Sequence, residues 1–408
     1  MKDVYIIGVG MTKFGRHLTR SVKSLTQEAV TDALQDAGAT VDDIQAAYFG
    51  NTAQGIMEGQ YIIPGQIALG AMGIHSIPVV NVENACATAS TALHMAVNHV
   101  RSGAADVVLA VGAEKLLSED KAKSFGIFSA GWDVHTPEQN IETLIGGYFT
   151  PDTPPGAAQK RSMFMDLYNH MARHHMDAFG TTQRQMAAVS SKNHFHSTMN
   201  PKSQYQKDMS IEEVLAAPVV TGPLTVPMCS PVSDGAAAAV VVSADMLPRF
   251  TGQPVKILAA IMRSSTVRDP RDYANHITAL AAKAAYEQAG VGPQDMSVAE
   301  VHDAAAFGEI IQSECLGFAP IGEGGALAES GATRLGGRIP INPSGGLESK
   351  GHPIGATGLG QIYELTHQLR GQAGARQVEN ARFGIAENGG GLLGVEEASA
   401  CVTILGTN

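Results

Sequence analysis

The feature that most limits how this chain can fold is a repeat. A buried strand over residues 4 to 9 is followed by an amphipathic helix from Val22 to Ala37, closed by Gly38. Strands from Ala46 to Phe49 and from Val79 to Val82 come next, then a turn and a helix from about Cys86 to Val100, ended at Gly103. Asp106 to Gly112 is a continuous apolar run, the mark of a central strand covered on both faces. Beyond residue 250 the succession returns as strand Lys256 to Ile261, helix Asn275 to Gln288, strand Ala299 to Val301 and helix Gly308 to Leu316. The turn Gly351-His352-Pro353, a helix from about Ile354 to Leu369 and strands Phe383 to Ala386 and Ser399 to Leu405 complete it. Two such copies predict two stacked α/β halves with a site between them. A length of 408 residues, too great for one ordinary core, points the same way.

The middle of the chain breaks the pattern. From about Lys115 to Ser210 it carries charges, methionines, the sole tryptophan, Trp132, and a run of histidines from His170 to His196. We read residues 115–210 as an inserted cap, residues 1–114 with 211–250 as the first half, and residues 251–408 as the second. Gly235 to Ser243 is the strand that closes the first half.

Charge and cysteine usage exclude several classes of function. A net charge of −11 with no basic stripe repels a phosphate backbone, so nucleic acid is not an expected partner. Cys86, Cys229, Cys315 and Cys401 form no C-x-x-C pair and no zinc-like spacing, which predicts no metal site and a reducing, cytoplasmic setting. The apolar start is too short for a signal peptide, and no window is long enough to span a membrane. His170 and His174 have the i, i+4 spacing of a helical metal pair, but no third ligand is evident and we read them as a polar helix face. Gly8-x-Gly10 lacks the third glycine and the acidic partner of a dinucleotide site.

Three segments can carry chemistry. Cys86, in Asn84-Ala85-Cys86-Ala87-Thr88, follows an apolar strand and sits at the first turn of a helix of small residues. Free amide donors and the positive helix end there predict a thiol pKa below the free value of roughly 8.5. His352 lies in Lys350-Gly351-His352-Pro353-Ile354-Gly355, where Gly351 lets the backbone approach a ligand while the imidazole is presented at a helix start as a base. His302 ends the strand Val298 to Val301, where ligands usually bind in α/β proteins.

Taken together, these motifs resemble the thiolase superfamily over essentially the whole chain, and within it the sterol-carrier-protein and archaeal branches, which carry a histidine-aspartate pair like His302-Asp303. The resemblance implies a thiolase fold: two stacked βαβαβαββ halves making five layers (α-β-α-β-α), with the inserted cap. It implies an acyl-CoA thiolase that cleaves a β-ketoacyl-CoA with coenzyme A, or runs the reverse Claisen condensation, through an acyl-Cys86 intermediate. His352 would activate Cys86 and then coenzyme A, and His302 would hold the thioester oxygen as an enolate forms. The amides of Cys86 and Gly389 would receive the acyl-enzyme oxyanion. Coenzyme A would be substrate, with no further cofactor. A homodimer is implied, as is a possible companion subunit built from a zinc ribbon and an OB-fold.

The resemblance has a gap. The second cysteine used as an acid/base in other thiolases is absent, because Glu387-Asn388-Gly389 occupies one of its positions and Ala304 the other. Glu387 is the expected substitute, with a pKa raised by an apolar pocket from about 4.3 towards neutrality. Competing readings are a lyase or synthase on the same fold, by retro-aldol or hydroxymethylglutaryl-type chemistry, and a non-catalytic scaffold subunit. Retro-aldol cleavage needs no covalent thioester, so Cys86 speaks against it.

Overall fold

The structure is a computed structural model and describes residues 2–145 and 162–407. The first half runs β1 (Val4–Met11), α1 (Val22–Ala37), β2 (Ala46–Gly50), β3 (Val79–Val82), α2 (Thr88–Arg101) and β4 (Val107–Glu114). After an excursion containing α3 (Met163–Phe179) and α4 (Gln183–Ser197), it closes with β5 (Gly235–Ser243). The second half runs β6 (Val255–Ser264), α5 (Ile277–Ala289), β7 (Val298–Glu300), α6 (Ala306–Cys315), α7 (Thr357–Leu369), β8 (Phe383–Gly390) and β9 (Ser399–Gly406).

The repeat is visible in the strand order, β3-β2-β4-β5-β1-β6-β9-β8-β7. Counted within each half, the sequence of strands outward from the centre is 1-5-4-2 in both directions. The third strand of the second half survives as the bridge of Ile341 to Ala299, parallel like β3 beside β2. Within each half the fifth strand runs antiparallel to the first and fourth strands it pairs with, and β1 also pairs antiparallel with β6. The halves are also joined edge to edge, by the β1–β6 pairs Tyr5↔Lys256 and Ile6↔Val255, so the two expected sheets are one continuous nine-stranded sheet.

Five layers follow from which faces are apolar. Helix α1 covers the outer face of the first half through Val22, Leu25 and Ala29 against Ile7, Leu109 and Val240. Helix α5 does the same for the second through Ala281 and Ala285 against Ile385 and Ile404. Between the halves lie α2 and α7, whose Leu93, Val97, Leu359 and Ile362 share one core with inner residues of both, such as Ile6 and Val298.

The excursion differs from the expected cap. It returns to the sheet at Gly235 rather than at residue 210, and it includes a two-stranded ribbon of Val219–Thr221 and Leu224–Thr225. Helix α4 is a buttress beneath the second half: Lys192 bonds Glu309 at 2.8 Å and His196 bonds the Asn342 carbonyl at 3.0 Å. Residues 146–161 of the expected cap lie outside the described residues.

The halves interlock at two glycines. A Cβ at Gly112, near the end of β4, would stand 2.3 Å from the Gly355 carbonyl oxygen in the loop before α7. A Cβ at Gly390, at the end of β8, would stand 2.2 Å from the Asn84 carbonyl oxygen and 2.5 Å from the Ala87 nitrogen in the loop before α2. Each fourth strand thus presses on the other half's helix start. Gly112→Ala is expected to destabilise the fold by about 1–3 kcal/mol through overpacking against backbone. A thermal unfolding midpoint equal to wild type would refute the interlock.

Candidate active site

The interlock fixes the loop that carries Cys86. Ala85, just before it, is held at φ 49°, a left-handed conformation that costs a non-glycine residue roughly 1–2 kcal/mol. Glu83 Oε1 accepts from the Ala85 amide at 2.5 Å, and the Asn84 amide donates to Thr88 Oγ1 at 2.8 Å. The result is a sharp turn over Ala85–Ala87 that joins α2 at Thr88 and puts Sγ at the wall of a cavity. Strained turns are a recurring way to expose a nucleophile.

His352 approaches from the matching place in the other half, just before α7. Its amide donates to Ser233 Oγ at 3.0 Å, and Gly351, at φ 111°, supplies the turn. Nδ1 lies 2.7 Å from Thr357 Oγ1, and that hydroxyl donates to the Pro353 carbonyl at 3.1 Å. Having given its one hydrogen away, Thr357 can only accept from the ring, so Nδ1 carries the proton and Nε2 is bare. Nε2 stands 3.2 Å from Cys86 Sγ, the geometry of a base waiting on a thiol.

His302 completes the group. Its ring meets that of His352 edge to face at 5.2 Å between centroids, and neither of its nitrogens has a protein partner. Cys86 Sγ and one nitrogen from each histidine lie within 4.8 Å of one another. Asp303 turns the other way, accepting from the Leu347 amide at 2.7 Å and from Asn193 Nδ2 at 2.9 Å.

The electrostatics correct one expectation. Burial, then the carboxylates of Glu114 and Glu83, push the Cys86 thiol up to about 12, although its own turn's amide pulls the other way. Burial, then the neighbouring His302 and Lys350, hold His352 well below its usual value, and burial brings His302 down to about 4. The resting pair is therefore thiol and neutral imidazole, and the first turn of a helix does not outweigh desolvation here.

The expected site residues divide. Cys86, His302 and His352 meet at a cavity of about 580 Å³ whose remaining walls are largely apolar, among them Ile127, Phe164, Met165 and Tyr168. Glu387, Gly389 and Gly351 are not among its lining residues, whereas Gly390 and Gly391 are. The Glu387 carboxyl is fully buried and accepts from the His302 amide at 3.0 Å, so it supports that histidine's backbone instead of aiming at Cys86. Burial, then the charge of Glu397, push it up to about 8. His174 bonds the Tyr273 hydroxyl at 2.7 Å, in keeping with a structural helix face.

Sequence reasoning missed Thr357, Glu114 and Glu397. Thr357 was discoverable as a hydroxyl five residues after His352. Glu114 accepts from the amides of Ala53 and Gly355, both at 3.0 Å, and so ties the β2 loop to the His352 loop. Glu397 lines the cavity from a short hairpin between β8 and β9, closed by a bridge of Leu393 to Glu396, which no periodicity announces.

The structure is an α/β protein of two like halves that brings a cysteine thiol and a histidine from matching helix starts together on one cavity. The chain is a member of the thiolase family: residues 4–245 match the thiolase N-terminal domain and residues 259–407 the thiolase C-terminal domain-like family. It is 40% identical over 397 residues to the acetyl-CoA acetyltransferase of Methanothermobacter thermautotrophicus, covering 97% of this chain and 98% of that one. It is 38% identical to sterol carrier protein 2 of Gallus gallus, covering 95% of this chain and 69% of that one. A solved structure described as an Ltp2-ChsH2(DUF35) aldolase superposes with a TM-score of 0.76 at 23% identity, covering 99% of this chain and 98% of that one.

The neutral resting pair sets a pH dependence. Alkylation of Cys86 by iodoacetamide is expected to rise about tenfold per pH unit between about pH 6 and pH 9, since only the thiolate reacts. A plateau beginning near pH 7 would show a depressed thiol pKa and overturn the assignment.

Proposed function

We propose that this protein is an acyl-CoA thiolase, an acyltransferase that cleaves a β-ketoacyl-CoA with coenzyme A or condenses two acyl-CoAs. The observation that carries the reading is the 3.2 Å approach of a bare His352 Nε2 to Cys86 Sγ beside the unpartnered ring of His302. In thiolysis, His352 takes the thiol proton as Sγ attacks the β-carbonyl carbon. The bond between Cα and that carbon breaks, leaving an acyl-Cys86 and a thioester enolate. His302 donates to the enolate oxygen, and the backbone amides of Cys86 and Gly389 would receive the acyl oxygen, an arrangement that supplies several kcal/mol in such sites. The enolate Cα then takes up the proton that left Sγ, which returns His352 to its neutral form. Coenzyme A gives its thiol proton to His352 and takes the acyl group, and that proton restores the Sγ–H. In this scheme Glu387 is a positioning residue behind His302. A retro-aldol reaction would leave the Cys86–His352 contact without a role.

Coenzyme A enters this scheme as substrate. A homodimer is favoured by the exposed apolar residues Tyr61, Ile62, Ile63, Ile67 and Val80, which lie on and near the edge strand β3. The naming of one structural neighbour as an Ltp2-ChsH2(DUF35) aldolase, which pairs Ltp2 with a second component, supports a companion subunit. Four free thiols suit the cytoplasm, and among the described residues no helix is long and apolar enough to cross a membrane.

Cys86→Ala is expected to lower turnover by on the order of 10³-fold or more while the fold persists. Mass spectrometry after mixing wild type with acetoacetyl-CoA should find an acetyl group on Cys86, and a wild-type enzyme that turns over without that adduct would end the thiolase reading. His352→Ala should slow the acyl-enzyme burst seen by rapid quench. His302→Ala should leave the burst of an activated acyl donor largely intact and slow enolate formation.

A further inference from the structure

We infer that Glu397 is the acid/base that moves the substrate α-carbon proton, the task for which the chain has no cysteine at the family's usual positions. The inference rests on the thiolase reading above and follows from the carboxylates around the cavity, of which there are three among the described residues: Glu83, Glu396 and Glu397.

Two of the three are already committed. Glu83 holds the strained Ala85 amide at 2.5 Å. Glu396 is fully engaged, accepting from Arg268 Nε at 2.6 Å, from the Thr266 amide and hydroxyl at 2.6 and 2.7 Å, and from the Ile277 amide at 3.1 Å. Glu397 has no lysine or arginine partner among the described residues. Its Oε1 accepts from Gln312 Nε2 at 3.2 Å, and Oε2 has no hydrogen bond. His276 stands nearby with Nε2 at 3.5 Å from Oε2. Because His276 Nδ1 accepts from the Thr278 amide at 3.2 Å, the ring hydrogen is on Nε2 and points the neutral imidazole's donor towards the carboxylate. Glu397 is thus held by Gln312 on Oε1 and faced by His276 on its buried Oε2, with no cation against it among the described residues, while the side chain keeps 12% of its surface exposed at the cavity wall.

The path of the side chain brings it to the nucleophile. A Cβ at Gly389 would stand 2.7 Å from Glu397 Cγ, so the side chain crosses β8 where there is no Cβ to stop it. The next residue, Gly390, is the one pressed against the Cys86 loop. Gly389, expected from the sequence to bind substrate, thereby acquires a second duty as the gap through which the carboxylate passes.

In the condensation direction the step balances as follows. The Glu397 carboxylate takes a proton from Cα of the second acyl-CoA, and the freed electron pair forms the bond from Cα to the carbonyl carbon of acyl-Cys86. The carbon–sulfur bond to Sγ breaks, and the proton held by Glu397 passes by way of His352 to restore the Sγ–H. Thiolysis reverses each transfer.

The test compares wild type with Glu397→Gln, which keeps size and the Gln312 and His276 contacts' acceptor but exchanges no proton. Acylation of Cys86 from acetoacetyl-CoA or a p-nitrophenyl ester is read by mass spectrometry, and loss of α-hydrogen from acetyl-CoA in deuterated water by NMR. The expected result is ester-driven acylation within about threefold of wild type and exchange slowed by about 10²-fold or more. Glu397→Asp should recover part of the exchange. Exchange at the wild-type rate in Glu397→Gln overturns the proposal, as does equal loss of acylation and exchange, which would mark a merely structural residue. If Cys229→Ala, which removes the other thiol on the cavity wall, abolishes exchange while Glu397→Gln does not, the role passes to that thiol. Failure of wild type to acylate Cys86 at all would instead remove the thiolase reading itself.

Discussion

The structure depends on a reciprocal contact: each half ends its fourth strand against the loop that begins the other half's central helix. Gly112 meets the loop carrying His352, and Gly390 meets the loop carrying Cys86. Neither contact tolerates a Cβ, so the spacing of the two loops is set by backbone on backbone, the least adjustable packing a protein has. The first turns of α2 and α7 are just as close, with Ser90 Oγ 2.0 Å from where a Cβ on Gly358 would be. The separation of Sγ from Nε2 is a consequence of this packing. Glu114 reinforces it by accepting from both sides of the junction.

A second layer of constraint lies behind His302. Lys192 and Lys350 are buried among four carboxyls, Glu300, Asp303, Glu309 and Glu348, and each lysine bonds one of them, at 2.8 Å to Glu309 and 3.0 Å to Glu300. Two cations cannot neutralise four anions in a dry interior, so the surplus is met by protons. Burial and the neighbouring acids hold Asp303 and Glu348 well above the usual carboxylate range. Asn193 Nδ2 donates to both, at 2.9 and 3.1 Å. Such a network is not a source of great stability. What it does is fix the strand end that presents His302 and the loop from Ser344 to Lys350 that leads into His352.

How much of this the sequence disclosed depended on whether a local rule determined the answer. The repeat, the strands and both central helices were legible because periodicity and turn residues mark them. Cys86 and His352 were legible because each sits at a helix start after a strand. Glu387 misled because nearness in sequence to Gly389 says nothing of which face a strand residue takes. Side chains alternate along β8, and Asn388 faces the central layer, where its Oδ1 accepts from Ser90 Oγ at 3.0 Å. Glu387 must then face the opposite side, where it finds the His302 amide. The path of Glu397 was hidden for a different reason: it depends on a hairpin folding its side chain across Gly389, eight residues earlier, a link no sequence pattern marks. The depressed thiol pKa failed because burial and the nearby carboxylates of Glu114, Glu83 and Glu397 are tertiary facts.

The neutral resting pair has a mechanistic logic of its own. Burial in a largely apolar setting disfavours a standing thiolate at Cys86, and the neighbouring carboxyl groups of Glu114, Glu83 and Glu397 add to the effect. An acyl thioester on the same sulfur carries no charge and suffers none of that penalty. Burial and the carboxyl groups that oppose ionisation of Cys86 therefore favour an uncharged, acylated sulfur over its thiolate, and in the proposed mechanism they couple attack to proton transfer to His352. The same argument runs backwards at the end of the reaction. As the carbon–sulfur bond breaks, charge returning to Sγ is destabilised at once, so the sulfur takes back a proton instead of lingering as an anion. A site tuned this way keeps its nucleophile quiet until a thioester or β-ketone is in place, which suits a cavity whose walls offer little else to hold a charge.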